Sequence, residues 1–314
     1  LLGPQLEAME RLLPPLAPEA FKDPSPVVVP AIGPRRARVG LLLGCVQRLF
    51  DPAVNAAALR VLSANGIEVV IPPDQGCCGA VTHHQGEVDQ TQALAAALID
   101  SFAAVIGPGK AAGAEPLDAV LVAASGCGHT MKLYNTILAG EPAWAARASA
   151  FAAQVQDIQE FLQAVGLGEA FRASLQPLRH VDGRPASAER PLQLAYHDAC
   201  HMLHGQGLQA QPRALLRQIP HVVLREAVEA GVCCGSAGIY NLVQPEEAAA
   251  LGQIKARDLA GTGADLAVSA NIGCSLQIRR HLEDTPRPIP VAHPMQLLDW
   301  SSRGEAPTAA WPTP

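Results

Sequence analysis

Cysteine placement constrains this chain more than any other feature. The eight cysteines are Cys45, Cys77, Cys78, Cys127, Cys200, Cys233, Cys234 and Cys274. They divide without remainder into two sets of one form: a single cysteine, a Cys-Cys-Gly, then another single cysteine. The step from 45 to 77 is 32 positions and that from 200 to 233 is 33; 78 to 127 is 49 and 234 to 274 is 40. The flanks agree. Gly76-Cys77-Cys78-Gly79-Ala80 parallels Val232-Cys233-Cys234-Gly235-Ser236, and Ala124-Ser125-Gly126-Cys127 parallels Asn271-Ile272-Gly273-Cys274. Such a repeat must build one arrangement twice and deliver its cysteines to the same place each time.

Each cysteine group follows a segment that reads as a buried strand. Residues 38–43, 67–71 and 119–123 are short apolar runs ahead of Cys45, Cys77 and Cys127. Residues 192–196, 222–224 and 266–268 stand in the same way before Cys200, Cys233 and Cys274. Helical spacing fills 52–64, with Asp51 as N-cap, Pro52 in the first helical position and Asn65-Gly66 to close it. Long helices over 87–106 and 245–259 match each other. Strands alternating with helices predict an α/β fold of two pseudo-symmetric repeats, each a small, mainly parallel sheet flanked by helices. Ligands of such sheets sit beyond the carboxyl ends of the strands, so each set of four cysteines is expected to converge there. The implied division is a Pro- and Ala-rich linker over 1–34, cysteine-rich domains over 35–185 and 186–303, and a tail over 304–314. Two domains suit 314 residues, at roughly 100–200 residues each.

A formal charge of −6 leaves no basic footprint for nucleic acid. No apolar run reaches the roughly 18 residues of a membrane span, which leaves only peripheral membrane contact open. No Walker loop or dinucleotide fingerprint occurs in the right context, and no acidic pair demands acid–base catalysis. The chemistry therefore rests on sulfur. Disulfides suit small secreted domains rather than an α/β chain of this size, and vicinal cysteines make strained partners for each other. Four thiolates per repeat match an iron–sulfur cluster, commonly held by four cysteines. They also match tetrahedral zinc, although the paired Cys-x-x-Cys knuckles of common zinc sites are missing. Gly79 and Gly235 allow a sharp turn behind adjacent cysteines. Gly126 and Gly273 allow close backbone approach, with amide N–H groups reaching cluster sulfurs. Of the histidines near the motifs, His197 and His201 frame Cys200 most closely and are the first candidates for cofactor contact.

The stretches GCCGA (76–80), ASGCGHTMK (124–132), VCCGSAGIY (232–240) and ANIGC (270–274) resemble the cysteine-rich CCG domain family. Within that family, they are most similar to the iron–sulfur subunit of glycolate oxidase, also called glycolate dehydrogenase. The likeness covers about residues 36–300. It departs from the family at two points. The ferredoxin-like segment with Cys-x-x-Cys-x-x-Cys runs is not found in these residues, so it is lost, removed or upstream of Leu1. The fullest motif ends in Cys-x-x-Cys, but here the earlier positions are Ala124 and Asn271.

The resemblance implies an oxidoreductase complex. One or two [4Fe–4S] clusters would be held by Cys45, Cys77, Cys78 and Cys127 and by Cys200, Cys233, Cys234 and Cys274, with zinc an alternative occupant of one site. FAD would sit on a partner glycolate oxidase subunit and oxidise a 2-hydroxy acid. This chain would pass electrons to quinone or another acceptor, in the cytoplasm or peripherally on the inner membrane, and has no substrate-oxidising site of its own. The alternatives are a heterodisulfide reductase-like or lactate-utilisation Fe–S oxidoreductase and, in a different class, a zinc-stapled structural subunit.

Overall fold

The computed structural model describes residues 27–305, together with Glu10 and Leu16. The linker expected over 1–34 and the tail expected over 304–314 lie largely outside the described residues. The rest divides into two compact units between Ala170 and Phe171. Residues 171–185, grouped with the first half on sequence, thus fall with the second. Phe171 and Leu178 are buried there, and Gln176 is tied at both ends of its peptide. Its N–H donates to the Ser301 carbonyl at 3.0 Å and its own carbonyl accepts from Ser301 Oγ at 2.7 Å.

The first unit holds a five-stranded sheet of β1 (Val28–Val29), β2 (Ala37–Leu42), β3 (Ile67–Val70), β4 (Ala119–Val122) and β5 (Val155–Asp157). Their order is β1-β3-β2-β4-β5, parallel throughout except for β1. The second unit holds β6 (Leu192–His197), β7 (Val222–Arg225), β8 (Leu266–Ser269) and β9 (Val291–Ala292), all parallel in the order β7-β6-β8-β9. This is the α/β repeat with mainly parallel sheets that the cysteine spacing and strand pattern implied.

Strand register makes the repeat exact enough to number. Leu42 pairs with Val122 in the first sheet, and His197 with Ser269 in the second. Likewise Gly40 pairs with Val70 and Ala195 with Arg225. On this scale Cys45 and Cys200 both lie three residues past the end of the central strand, and Cys127 and Cys274 both lie five past the next. The extra residue between Cys200 and Cys233 must then sit in the loop after β7. Leu42 and His197 occupy the same position.

Local chemistry explains the elements. The helix Pro52–Ala64 starts as expected, with Asp51 at the N-cap position and proline in the first turn, although the Asp51 side chain makes no capping bond. It stops at Asn65 because Gly66 takes φ +75°, and a Cβ there would meet the Pro34 carbonyl at 2.7 Å. The long helix Val88–Val105 buries Ala95, Leu98, Ile99, Phe102 and Val105 against the sheet. Gly40 makes room for it: a Cβ on that strand residue would stand 2.6 Å from Phe102 Cε1. Pro245–Gly261 is its counterpart in the second unit. Strands β4 and β8 are buried along their whole length, as the central strands of a sheet covered on both faces should be.

Candidate metal centres

In the first unit three strand ends deliver four sulfurs. Cys45 lies in the turn after β2 and Cys77-Cys78 in the loop after β3. Cys127 is the third residue of the helix Ser125–Lys132, which follows β4. Cys45 Sγ donates to Cys77 Sγ at 3.6 Å. Cys77 is in turn hydrogen-bonded to Cys78, and Cys78 to Cys127, so the four thiols form one unbroken chain. The crowding polarises them. Hydrogen bonding from Cys45 and Cys78 holds the Cys77 thiol far below its ordinary range, and the same bond with Cys77 raises Cys45. Cys78 is pushed well up, first by its bond to Cys127. Four sulfurs this close cannot all become thiolates unless positive charge stands among them.

The Cys-Cys-Gly turn is held from several sides. Gly79 takes φ +78°, and its N–H reaches Cys77 Sγ at 3.4 Å. Buried Tyr134 donates to the Cys78 carbonyl at 2.7 Å. Gln75 sews the loop to the sheet: its Nε2 donates to the carbonyls of Leu41 and Pro72, and its Oε1 accepts from the Leu43 N–H at 2.6 Å. Gln47 donates to Asn55, which donates to the Leu43 carbonyl at 2.9 Å and steadies the approach to Cys45.

The second unit repeats the cage. Cys200 opens the helix Cys200–Leu203, Cys233-Cys234 follow β7, and Cys274 is the third residue of the helix Ile272–Leu282. The chain of thiol contacts again runs Cys200–Cys233–Cys234–Cys274, with Cys233 lowered chiefly by Cys200, and Cys234 raised chiefly by Cys233. Gly235 takes φ +86°, and its N–H reaches Cys233 Sγ at 3.3 Å. Gly273 sits where a Cβ would meet Ser236 Oγ at 2.8 Å, so the expected close approach at this glycine is to the Cys-Cys-Gly turn itself. Gly126 holds the matching second position of its helix. Both helices place a cysteine in the first turn, where free N–H groups favour negative charge on sulfur.

Around this second cage the supports differ. His197 is 2% exposed and ends β6. One of its ring nitrogens and the sulfurs of Cys234 and Cys274 all lie within 4.8 Å of one another. Neither ring nitrogen makes a hydrogen bond of good geometry. The ring nonetheless stands near enough to Cys274 to help hold that thiol down, after the larger effect of donation from Cys234. Asn271 Nδ2 donates to Cys274 Sγ at 3.2 Å. His201 Nδ1 is 3.8 Å from Cys200 Sγ, and burial lowers the imidazole's pKa.

Beneath them Asp198 is clamped by Arg213 through two bonds of 2.8 and 2.7 Å, and Arg213 also binds Glu226 at 2.9 and 2.7 Å. Buried Lys255 donates to the Glu229 carbonyl and, at 3.4 Å, to that of Ala230, which holds the loop leading to Cys233. Sequence reasoning missed Gln47, Asn55, Gln75, Tyr134, Arg213 and Lys255. None lies in a cysteine motif, and each works through a contact that only folding creates.

Comparison with known proteins agrees with the repeat. The model of the cysteine-rich domain family, CCG, matches residues 39–132 and again 194–279. The chain is 32% identical over 283 residues to the "Probable glycolate oxidase iron-sulfur subunit" of Bacillus subtilis (strain 168), covering 90% of this chain and 58% of that protein. It is 33% identical over 272 residues to the "Glycolate oxidase iron-sulfur subunit" of Escherichia coli (strain K12), covering 85% and 61%. It thus spans about three-fifths of the length of these two relatives. "Lactate utilization protein A" of Halalkalibacterium halodurans is 25% identical over 85% of this chain and 98% of its own length. With two matched copies, each carrying its four cysteines to one strand-end edge, the chain belongs to the cysteine-rich CCG domain family.

Proposed function

We propose that each half holds an iron–sulfur cluster on its four cysteines and that the chain is the electron-transfer subunit of a flavin-dependent 2-hydroxy-acid dehydrogenase of the glycolate oxidase type. The observation that carries this reading is the twofold convergence of four thiols at the carboxyl edge of a parallel sheet, the thiol pKa values being driven apart by proximity. The donor chemistry fits the group. Sulfur ligands suit iron–sulfur clusters, and the N–H groups of Gly79 and Gly235 already point at sulfur. Bound there, a cluster supplies one-electron acceptance and release. The residues of this chain hold it: Cys45, Cys77, Cys78 and Cys127 in the first half, Cys200, Cys233, Cys234 and Cys274 in the second. Gln75, Tyr134 and Lys255 fix the loops, while His197 and His201 flank the second site.

The names of the relatives support an FAD-bearing partner that oxidises glycolate or a similar 2-hydroxy acid, with quinone or another carrier as the acceptor. Among the described residues no helix is long and apolar enough to cross a membrane, so quinone would be met at the membrane surface through the assembled complex. The near full-length match to a lactate-utilisation protein supports a second reading, in which the partner is a lactate-oxidising assembly.

Anaerobic purification with iron, sulfide and zinc analysis and EPR tests the cluster. Iron and sulfide in roughly a 1:1 ratio, as cubanes contain, are expected; zinc with no sulfide would end the electron-transfer reading. Glycolate-dependent reduction of the clusters should require an added flavoprotein, and turnover of glycolate by this chain alone would refute its place as a partner-dependent subunit. Lactate-dependent but not glycolate-dependent reduction would select the second reading.

A further inference from the structure

We propose that Lys255 raises the reduction potential of the centre in the second half, its buried ammonium stabilising the reduced cluster through space and not as a ligand. The inference rests on the reading that the cysteines hold iron–sulfur clusters. Three observations carry it. Lys255 is 1% exposed, and burying a charge opposes folding, so an ammonium at such a place calls for a reason. Leucine fills the same place in the first half. The long helices correspond through their contacts with the Cys-Cys-Gly turns: a Cβ on Gly79 would meet the Thr91 carbonyl oxygen, and one on Gly235 that of Ala248. Counted from these two residues, buried Ala95, Leu98 and Phe102 fall on buried Gly252, Lys255 and Leu259. Finally, Lys255 stands by the loop that carries two of the sulfurs. Its Nζ donates to the Glu229 carbonyl and, at 3.4 Å, to that of Ala230, just ahead of Cys233. Burial lowers the pKa of the ammonium, but Asp258 and then Cys234, Asp198 and Cys233 are near enough to oppose that effect.

A cluster gains one negative charge when it takes up an electron. A fixed positive charge close by in a low-dielectric interior favours that state, and net charge is one of the factors that set a cluster's potential. Asp258 works in the opposite sense. Its carboxylate lies 3.9 Å from Lys255 Nζ and is held by the N–H groups of Val228 and Glu229 at 2.9 Å each. Removing the cation and removing the anion should therefore move the potential in opposite directions. A lysine that merely braced the loop would give no such reversal, since both changes loosen the same segment. The Asp198–Arg213–Glu226 cluster is common to both variants and cancels from the comparison.

The test uses the full chain, purified anaerobically with iron and sulfide bound and titrated reductively with EPR detection. Lys255→Gln keeps a donor for the loop carbonyls and removes the charge. It should leave the iron content unchanged and make one centre harder to reduce, by about tenfold in its reduction equilibrium, or about 59 mV for a one-electron couple. The wave that moves should be the one lost in Cys234→Ser and kept in Cys78→Ser. Lys255→Arg keeps the charge and should leave both waves in place, and Asp258→Asn should raise the potential of the same centre. Should Lys255→Gln fail to fold or lose its iron, Asp258→Asn, which leaves the lysine in place, decides alone. An unmoved wave in Lys255→Gln, an equal fall in Lys255→Arg, or no rise in Asp258→Asn overturns the inference and leaves the cluster reading intact. Absence of iron and sulfide altogether overturns the cluster reading first.

Discussion

The two halves share a strand register and a cysteine cage, yet they are stabilised differently. In the first, β1 adds an antiparallel cover to β3, and three of the four residues of β3 are buried. In the second, β7 is the sheet edge; none of its residues is fully buried and Arg225 is exposed. The first cage is steadied by neutral groups, the amides of Gln47, Asn55 and Gln75 and the phenol of Tyr134. The second is steadied by charges: Asp198, Arg213, Glu226 and Lys255. A duplicated frame thus keeps the positions of its sulfurs while the surroundings change. Buried charges beside a metal site act on its electrostatics over a longer range than amides do, so the two sites should not be equivalent in potential.

The largest expected effect would separate the halves outright. Cys234→Ser should remove the second site's metal and sulfide and leave the first filled, so bound iron falls to roughly half of a two-cluster total; Cys78→Ser should give the mirror result. Loss of all iron from either variant, with the circular dichroism unchanged, would mean one shared site instead of two. Next in size, Arg213→Met leaves the Asp198 carboxylate buried and uncompensated. Breaking such a pair costs about 3–5 kcal/mol, to be read from urea unfolding. The Gln75 support of the first cage is neutral, and Gln75→Met, which removes its amide bonds to Leu41, Leu43 and Pro72, should cost less.

A pH experiment sharpens the contrast at the fourth strands. Asp157 ends β5, and burial raises its pKa from 3.8 to about 6. The corresponding residue after β9 is His293, whose Nδ1 accepts from the Met295 N–H at 3.1 Å as a helix cap. Below pH 3.8 Asp157 is protonated in both folded and unfolded chains and costs nothing. As pH rises from 3.8 towards 6, the unfolded chain releases the proton while the folded chain keeps it, so stability falls through that window and then levels off. The total is at most about 3 kcal/mol. Asp157→Asn, which keeps an acceptor for the Gln159 N–H, should flatten this slope in stability curves measured between pH 4 and 7.

The smallest expected difference concerns the two turn glycines. Both have positive φ, so alanine strains each backbone by about 1 kcal/mol. At Gly79 the nearest atom to a new Cβ is 3.5 Å away, whereas at Gly235 the Ala248 carbonyl oxygen stands at 2.4 Å. A backbone oxygen cannot swing aside, and Gly235→Ala should be the more destabilising by roughly 2 kcal/mol. Equal thermal shifts for the two variants would contradict the difference in packing.

Much of this architecture was legible in the residues. The helix 52–64 was bounded correctly by proline and Asn-Gly, and the central strands were marked by apolar runs. The short strands β1 and β9 were not, because two residues such as Val28-Val29 or Val291-Ala292 carry no period. The helices that begin at Ser125 and Ile272 and carry Cys127 and Cys274 were also missed, since glycine in the second position of each weakens the helical signal. Each helix is instead imposed by the strand before it and the packing behind it.

By itself the sequence determined the duplication, the parallel α/β frame and the grouping of the cysteines, because a repeated spacing and short apolar runs are local quantities along the chain. Tertiary structure alone decided what stands around each cage. Leu42 and His197 become equivalent only when strands pair in register. Arg213 reaches Asp198, and Lys255 the loop before Cys233, across distances in sequence that no local pattern encodes. A side chain's role near a metal depends on what it faces, and facing is a property of the packed fold rather than of the order of residues.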